Sequence, residues 1–229
     1  MSAADARVLI VTAMPEELGP LSARRLPDGV RAAATGEGPR RAERRAAELC
    51  DLHRPDVLLG AGVAGALSSD LAFGEILVAR RVCDASGDAP QPDAALSGRA
   101  ASIPGIRGGA IFSADRMVVA ARERSELAGR FGEEPSAVDM ESAGWARVAS
   151  ARGIPYLVVR AVSDTADEDL PAYLARCYDP EGGIRRSRVV LHALARPGSV
   201  PRLLAMRRRV RECGERLSAF LEHFLAGVL

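Results

Sequence analysis

The chain has 229 residues, a formal net charge of +1, 48% apolar residues and 27% charged ones. That length holds one large domain or two small ones with a useful core, and the composition is that of a soluble globular protein. Near-neutral charge gives no bulk attraction to nucleic acid, and no apolar run approaches the ~20 residues of a membrane-spanning helix.

Residues 7–13, RVLIVTA, are short, apolar and β-branched and predict a buried strand. Pro15 then suits the first position of a helix, with Glu16 and Glu17 in its first turn. A second strand is expected over 30–34, closed by Thr35-Gly36-Glu37-Gly38, and a charged, Ala-rich helix over 39–52. Asp56 to Leu59 predicts a strand ending in the glycine-rich GAGVAG of 60–65, and 73–84 predicts another. Gly, Pro, Ser and Asp crowd 85–108, which predicts a loop. A strand begins at 109, a helix is expected from Arg116 to Arg130, another over 137–153, and a strand over 155–162. After Leu170 a polar stretch, DPEGGIRRS, leads into a basic helix from about Pro201 to Leu225.

Short apolar strands alternating with helices predict an α/β fold, a three-layer sandwich. The expected organisation is one domain over 1–229, with 170–229 as its C-terminal helical extension. Cys50, Cys83, Cys177 and Cys213 have neither disulfide nor zinc spacing, so reduced thiols in a cytoplasmic protein are expected. The first residues lack the pattern of a signal peptide.

Gly60, Gly62 and Gly65 satisfy G-x-G-x-x-G after a strand, and Asp84 lies where an acidic ribose partner would fall. The context argues against a dinucleotide site, because only 66–74 separate the loop from the next strand and a parallel crossover needs a dozen or more residues. The plain expectation is a close-packed turn at a strand end. The alternative is a place where a small ligand approaches the backbone closely.

Three stretches carry a resemblance: VTAMPEEL (11–18), GAGVAGALSSDLAFGEILVA (60–79) and AVDMESAGWARVASARGIPYLVVRAVSDTAD (137–167). Together they resemble the nucleoside phosphorylase superfamily, and within it the nucleosidases acting on 5′-methylthioadenosine and S-adenosylhomocysteine. Read from the residues alone, Glu141 at a helix start and Asp164 after an apolar strand have ordinary structural explanations. Three acids at strand ends of one sheet are nevertheless placed to converge, since ligands bind there.

The resemblance implies a mixed central β-sheet flanked by helices with the site at the strand ends, and N-glycosidic cleavage of a purine nucleoside with no cofactor and no metal. Asp164 would protonate the purine near N7, held by Ser163, and Glu17 would position and deprotonate the water. Glu141 would take the ribose hydroxyls, with Asp139 and Met140 beside it. Met117 and Val118 would line the purine pocket, and Ala64 and Gly65 would complete the substrate-binding set. Successive helical residues point about 100° apart, so only one of the two acids can face the site; the resemblance selects Glu17, and Glu16 is then expected to be a solvated first-turn charge. The expected partner is a small purine nucleoside and not a nucleic acid, and a homodimer is expected.

Aligned on Gly62 and Gly65, the positions that carry phosphate ligands in related phosphorylases are Gly60 and Val63 here, which favours water over phosphate as nucleophile. A phosphorylase and a non-catalytic nucleoside-binding protein remain the alternatives. The segment after Asp84 departs from the methylthioadenosine-type enzymes, lacking their aromatic and histidine residues. The tail from Leu170 resembles a hopanoid-associated branch, which implies an adenosylhopane-like substrate. Arg207, Arg208, Arg209 and Arg211 with neighbouring Leu, Met and Phe residues make the last helix amphipathic. It would pack on the domain or a second subunit, or make peripheral contact with an anionic membrane.

Overall fold

The computed structural model describes residues 7–23, 26–179, 183–184 and 186–228. The DPEGGIRRS stretch falls partly outside them. The sheet has eight strands: β1 (Val8–Thr12), β2 (Val30–Ala34), β3 (Val57–Ala66), β4 (Ile76–Asp84), β5 (Gly87–Asp88), β6 (Ile106–Ser113), β7 (Ser136–Asp139) and β8 (Tyr156–Asp164). β1 lies between β2 and β3, parallel to both. β3 pairs in parallel with β8, which runs antiparallel to β4, and β4 and β6 are parallel. β7 pairs with β6 and also, antiparallel, with the end of β3 at Gly65 and Ala66, so the sheet curls into a closed ring of five strands.

Helices cover both faces, the three-layer α/β arrangement expected from the alternation of elements. On one face α1 (Pro39–His53) and α4 (Ser142–Ala151) bury Ala42, Ala46, Leu49, Trp145 and Ala149 against Leu9, Leu58 and Val158. On the other, the end of α7 (Val200–Val228) sets Leu217, Phe220, Leu221 and Phe224 against Ile10, Leu59 and Leu157. The same face holds α2 (Ala94–Ala101) through Leu96 and Ala100. A smaller cluster joins Phe112, Phe131 and Val118 beside α3 (Ala121–Ala128). All four cysteines are buried free thiols.

Four details differ from the sequence expectation. GAGVAG is no turn: it continues β3 as extended strand to Ala66. The stretch 85–108 contains β5, α2 and the start of β6, and Asp93 starts α2 by accepting from the Leu96 N–H. The expected helix over 137–153 is strand β7 followed by α4, and the helix over 116–130 shortens to α3. After Pro15 the chain forms 3₁₀ turns over Pro15–Ala23 rather than an α-helix. They kink at Gly19, whose φ of +49° suits glycine, and a Cβ there would lie 2.6 Å from the Gly214 carbonyl carbon of α7. This close backbone crossing docks the segment that carries Glu17 onto α7.

Candidate active site

β1 pairs with β3 only as far as Gly60 and β7 takes over only at Gly65, so between them this edge of β3 has no strand partner. The Val63 N–H donates instead to Glu17 Oε1 at 3.0 Å. Oε2 accepts from the Met14 N–H at 2.8 Å, the backward reach of a capping-box residue. Glu17 is 2% exposed, whereas Glu16 points outward. The capping role explains one carboxylate oxygen; the link to a strand 46 residues away is a further commitment.

Behind Glu17 lies Arg160, on β8 opposite Gly62 and 0% exposed. It donates to Asp139 and, at 3.0 Å, to Ser142 Oγ, and its Nη2 is 3.8 Å from Glu141 Oε2. Its guanidinium sits over the Trp145 ring, 4.8 Å from the centroid. Among the described residues, Nε and Nη1 have no hydrogen-bond partner, which in a buried guanidinium calls for an explanation. Nη1 and Glu17 Oε1 meet over Gly62: a Cβ there would lie 2.2 Å from the first and 2.8 Å from the second. Gly62→Ala is therefore expected to cost about 1–3 kcal/mol, the range for overpacking a filled interior, and to lower turnover. Denaturant melts and initial rates check this.

Glu141 follows β7 and accepts from the Gly38 N–H at 2.8 Å. Burial, then the charge of Asp139, pushes its pKa up to about 8, against the pull of Arg160. Burial raises Glu17 as well, opposed by Arg160 and the Met14 and Val63 N–H groups. The sign for stability follows. A carboxyl raised from 4.5 to about 8 in the folded state releases its proton on unfolding in that window, so its contribution declines as pH rises through it. Glu141→Gln removes that decline. Its Tm is expected to fall several degrees less than the wild type's between mildly acidic and mildly alkaline buffer, and equal slopes would contradict the assignment.

Asp164 ends β8 opposite Gly65. Its Oδ1 accepts from Ser163 Oγ at 2.5 Å. Arg124 of α3, 1% exposed, brings Nη2 to 2.5 Å from Oδ2 as an ion pair, while its nitrogens also donate to the Thr165 and Val118 carbonyls. That pair is close but not aligned as a hydrogen bond, so among the described residues Oδ2 has no hydrogen-bond donor. A Cβ at Gly65 would lie 2.7 Å from Oδ2. The glycines of β3 thus make room for buried side chains of β8 and the 3₁₀ segment, a function that neither a turn nor a dinucleotide fingerprint describes.

The other expected site residues divide. Ala64 gives its carbonyl to Ser163 Oγ at 3.3 Å. Val118 is buried and Met117 half-buried beside the ion pair, and Met140 is half-buried next to Glu141. Asp139, expected in the substrate-binding set, is buried, and its carboxylate accepts from Arg160, Ser113 and Ser142. Its place is to hold Arg160. Asp84, the ribose partner that a dinucleotide fingerprint would need, accepts from Ser86 and Arg147.

Sequence reasoning assigned no role to Arg160, Arg124 or Tyr178. A charge in the middle of the apolar run YLVVRAV is a signal for Arg160, because a buried charge must be paired. Arg124 lies in a helix rich in exposed charges and carries no such mark. Tyr178 is buried on β9 (Tyr178–Asp179) with its hydroxyl against Gly38. Burial and the nearby Glu141 push its pKa up to about 12.

A family model described as "Phosphorylase superfamily" matches residues 28–177. The chain belongs to this superfamily. The match includes Glu141 and Asp164, and Glu17 precedes it. The chain is similar to the 5′-methylthioadenosine/S-adenosylhomocysteine nucleosidases of Haemophilus ducreyi, 30% identical over 52% of this chain and 60% of that one, and of Actinobacillus succinogenes, 27% over 50% and 58%. The matched part of the chain therefore spans about three-fifths of these curated relatives. Among solved structures, the nucleosidase of the same name from Helicobacter pylori aligns with a TM-score of 0.73 at 20% identity, over 97% of this chain and 99% of that one. The futalosine hydrolase of Helicobacter pylori aligns with 0.72 at 21%, over 99% and 100%. At those identities the superfamily fold is what the likeness shows.

Proposed function

We propose that the protein is a nucleosidase that hydrolyses the bond between purine and ribose in a 5′-substituted adenine nucleoside. The observation that carries the reading is the pairing of two unspent sites along β3 and β8: Glu17 with the unpartnered edge of Arg160 at Gly62, and the undonated Oδ2 of Asp164 at Gly65. Along β8, Arg160 and Asp164 are about 13 Å apart at ~3.3 Å per residue.

Asp164 in its acid form gives a proton to the purine at N7 as the C1′–N9 bond breaks, so the base leaves neutral. The sugar develops oxocarbenium character, and Glu141 holds its hydroxyls. Water held by Glu17 and Arg160 adds to C1′ and gives its proton to Glu17. Free ribose and free base result.

Water as nucleophile is supported by Val63, which has no hydroxyl for an anion and whose N–H is committed to Glu17. The names of the similar nucleosidases point to methylthioadenosine- and adenosylhomocysteine-like substrates, and the tail's resemblance to a larger, adenosylhopane-like 5′ group. A panel of adenosine, inosine and 5′-alkylthio and 5′-alkyl adenosines, read by base release, tests the substrate class. Release from 5′-substituted adenosines is expected, and turnover of inosine alone would overturn it. Glu17 must be ionised to act and burial raises it. The acidic limb of kcat/KM is therefore expected to lie above the ordinary 4.5 of a Glu. A profile flat to that pH would exclude Glu17 as base.

A further inference from the structure

Residues 183–211 contain nine arginines and no Asp or Glu, in a chain whose total net charge is +1. The segment comprises α6 (Arg186–Ala195), a 3₁₀ turn (Pro197–Ser199) and the first half of α7. Among the described residues five large apolar side chains are exposed. Four of them belong here: Leu191 at 67%, Leu194 at 76%, Leu204 at 59%, and Val200. Basic charge and exposed leucines are thus concentrated in one helical segment. The segment is anchored. Arg209 pairs with Glu168 at 2.5 Å, Arg202 donates to the Asp169 carbonyl, and from Cys213 onward the inner side of α7 is buried on the domain. The second half of α7 thus packs on the domain, as one of the expectations for the terminal helix has it, and the first half carries the exposed side chains.

We propose that this helical segment docks the protein peripherally on an anionic phospholipid surface. Leucines enter the headgroup–acyl boundary while arginines meet lipid phosphates, the arrangement of interfacial amphipathic helices. Charge complementarity selects this occupant. A second copy on the same face would set one arginine-rich segment against another across a two-fold axis. A nucleic acid has no use for the leucines, and residues 183–211 contain no Phe, Trp or Tyr to stack on bases. Among the described residues no helix is long and apolar enough to cross a membrane, so the contact is with the surface. The segment adjoins residues 165–170, which lead out of Asp164, so docking brings the mouth of the candidate site near the lipid. The proposal does not depend on the substrate reading.

The test is cosedimentation of the full chain with vesicles of phosphatidylcholine alone or with about 30 mol% phosphatidylglycerol. Wild type is expected to pellet with the anionic vesicles only, and to be released as salt rises from about 0.1 to 0.5 M. Leu191→Asp/Leu194→Asp and Arg196→Glu/Arg207→Glu are each expected to weaken binding about tenfold or more, with the thermal melt unchanged. Wild type that stays in the supernatant overturns the proposal, as does binding that the charge-reversed variant retains. A dimer by light scattering that the leucine variant splits also overturns it, for then a second copy covers the face. Retention of an RNA oligonucleotide without vesicle binding overturns it as well.

Discussion

Glu17→Gln is expected to lower kcat by about 10²–10⁴-fold, the range for loss of a positioned general base. Binding of a nucleoside analogue that cannot be cleaved should change far less. The amide keeps the shape but cannot take the proton of water, and its NH₂ would face either the Met14 or the Val63 N–H, leaving one buried donor unsatisfied. A drop in stability of about 1–3 kcal/mol accompanies the substitution for that reason. Analogue binding separates the two effects. A variant that binds the analogue and turns over within a few-fold of wild type would remove Glu17 from the chemistry. Glu16→Gln, on the exposed side of the same turn, is expected to leave kcat unchanged.

Asp164→Asn is the second large effect. Asparagine cannot protonate N7, so kcat on an unmodified purine nucleoside is expected to fall by about 10²–10⁴-fold. The substitution also leaves the buried Arg124 without its counter-charge, which lowers stability. A nucleoside already methylated at N7 distinguishes chemistry from folding, because its base leaves without a proton from the protein. On that substrate the variant should recover most of the wild-type rate. Equal losses on both substrates would mean that Asp164 is only structural.

How much of this was legible in the sequence depends on how local its cause is. The strand before Pro15 and the apolar strand before Asp164 announce themselves through β-branched runs, and they carry the two central acids to the site. The 100° step between helical neighbours says only that one of Glu16 and Glu17 can face inward and the resemblance selects Glu17; in the 3₁₀ turn Glu17 is buried and Glu16 exposed. The GAGVAG stretch was misread because small residues show no alternation. Its glycines answer to Arg160, Trp145 and Asp164, which lie far away in the chain. Helix α2 hid in a stretch whose Pro, Gly and Asp residues usually mark loops, although Asp93 is an ordinary N-cap. Asp139 looked like a site residue because it sits beside Met140 and Glu141. As the last residue of β7 it accepts from Arg160, a partner on β8 that its own neighbours in sequence do not reveal. Arg124 becomes meaningful only once α3 is folded over Asp164.

The central claim is that water, activated at Glu17, replaces the purine at C1′. Reaction of a 5′-substituted adenosine in H₂¹⁸O, with and without phosphate, tests it most directly. The account predicts adenine release at the same rate in both, with ¹⁸O at C1 of the free sugar. Release that requires phosphate and yields the sugar 1-phosphate would contradict it.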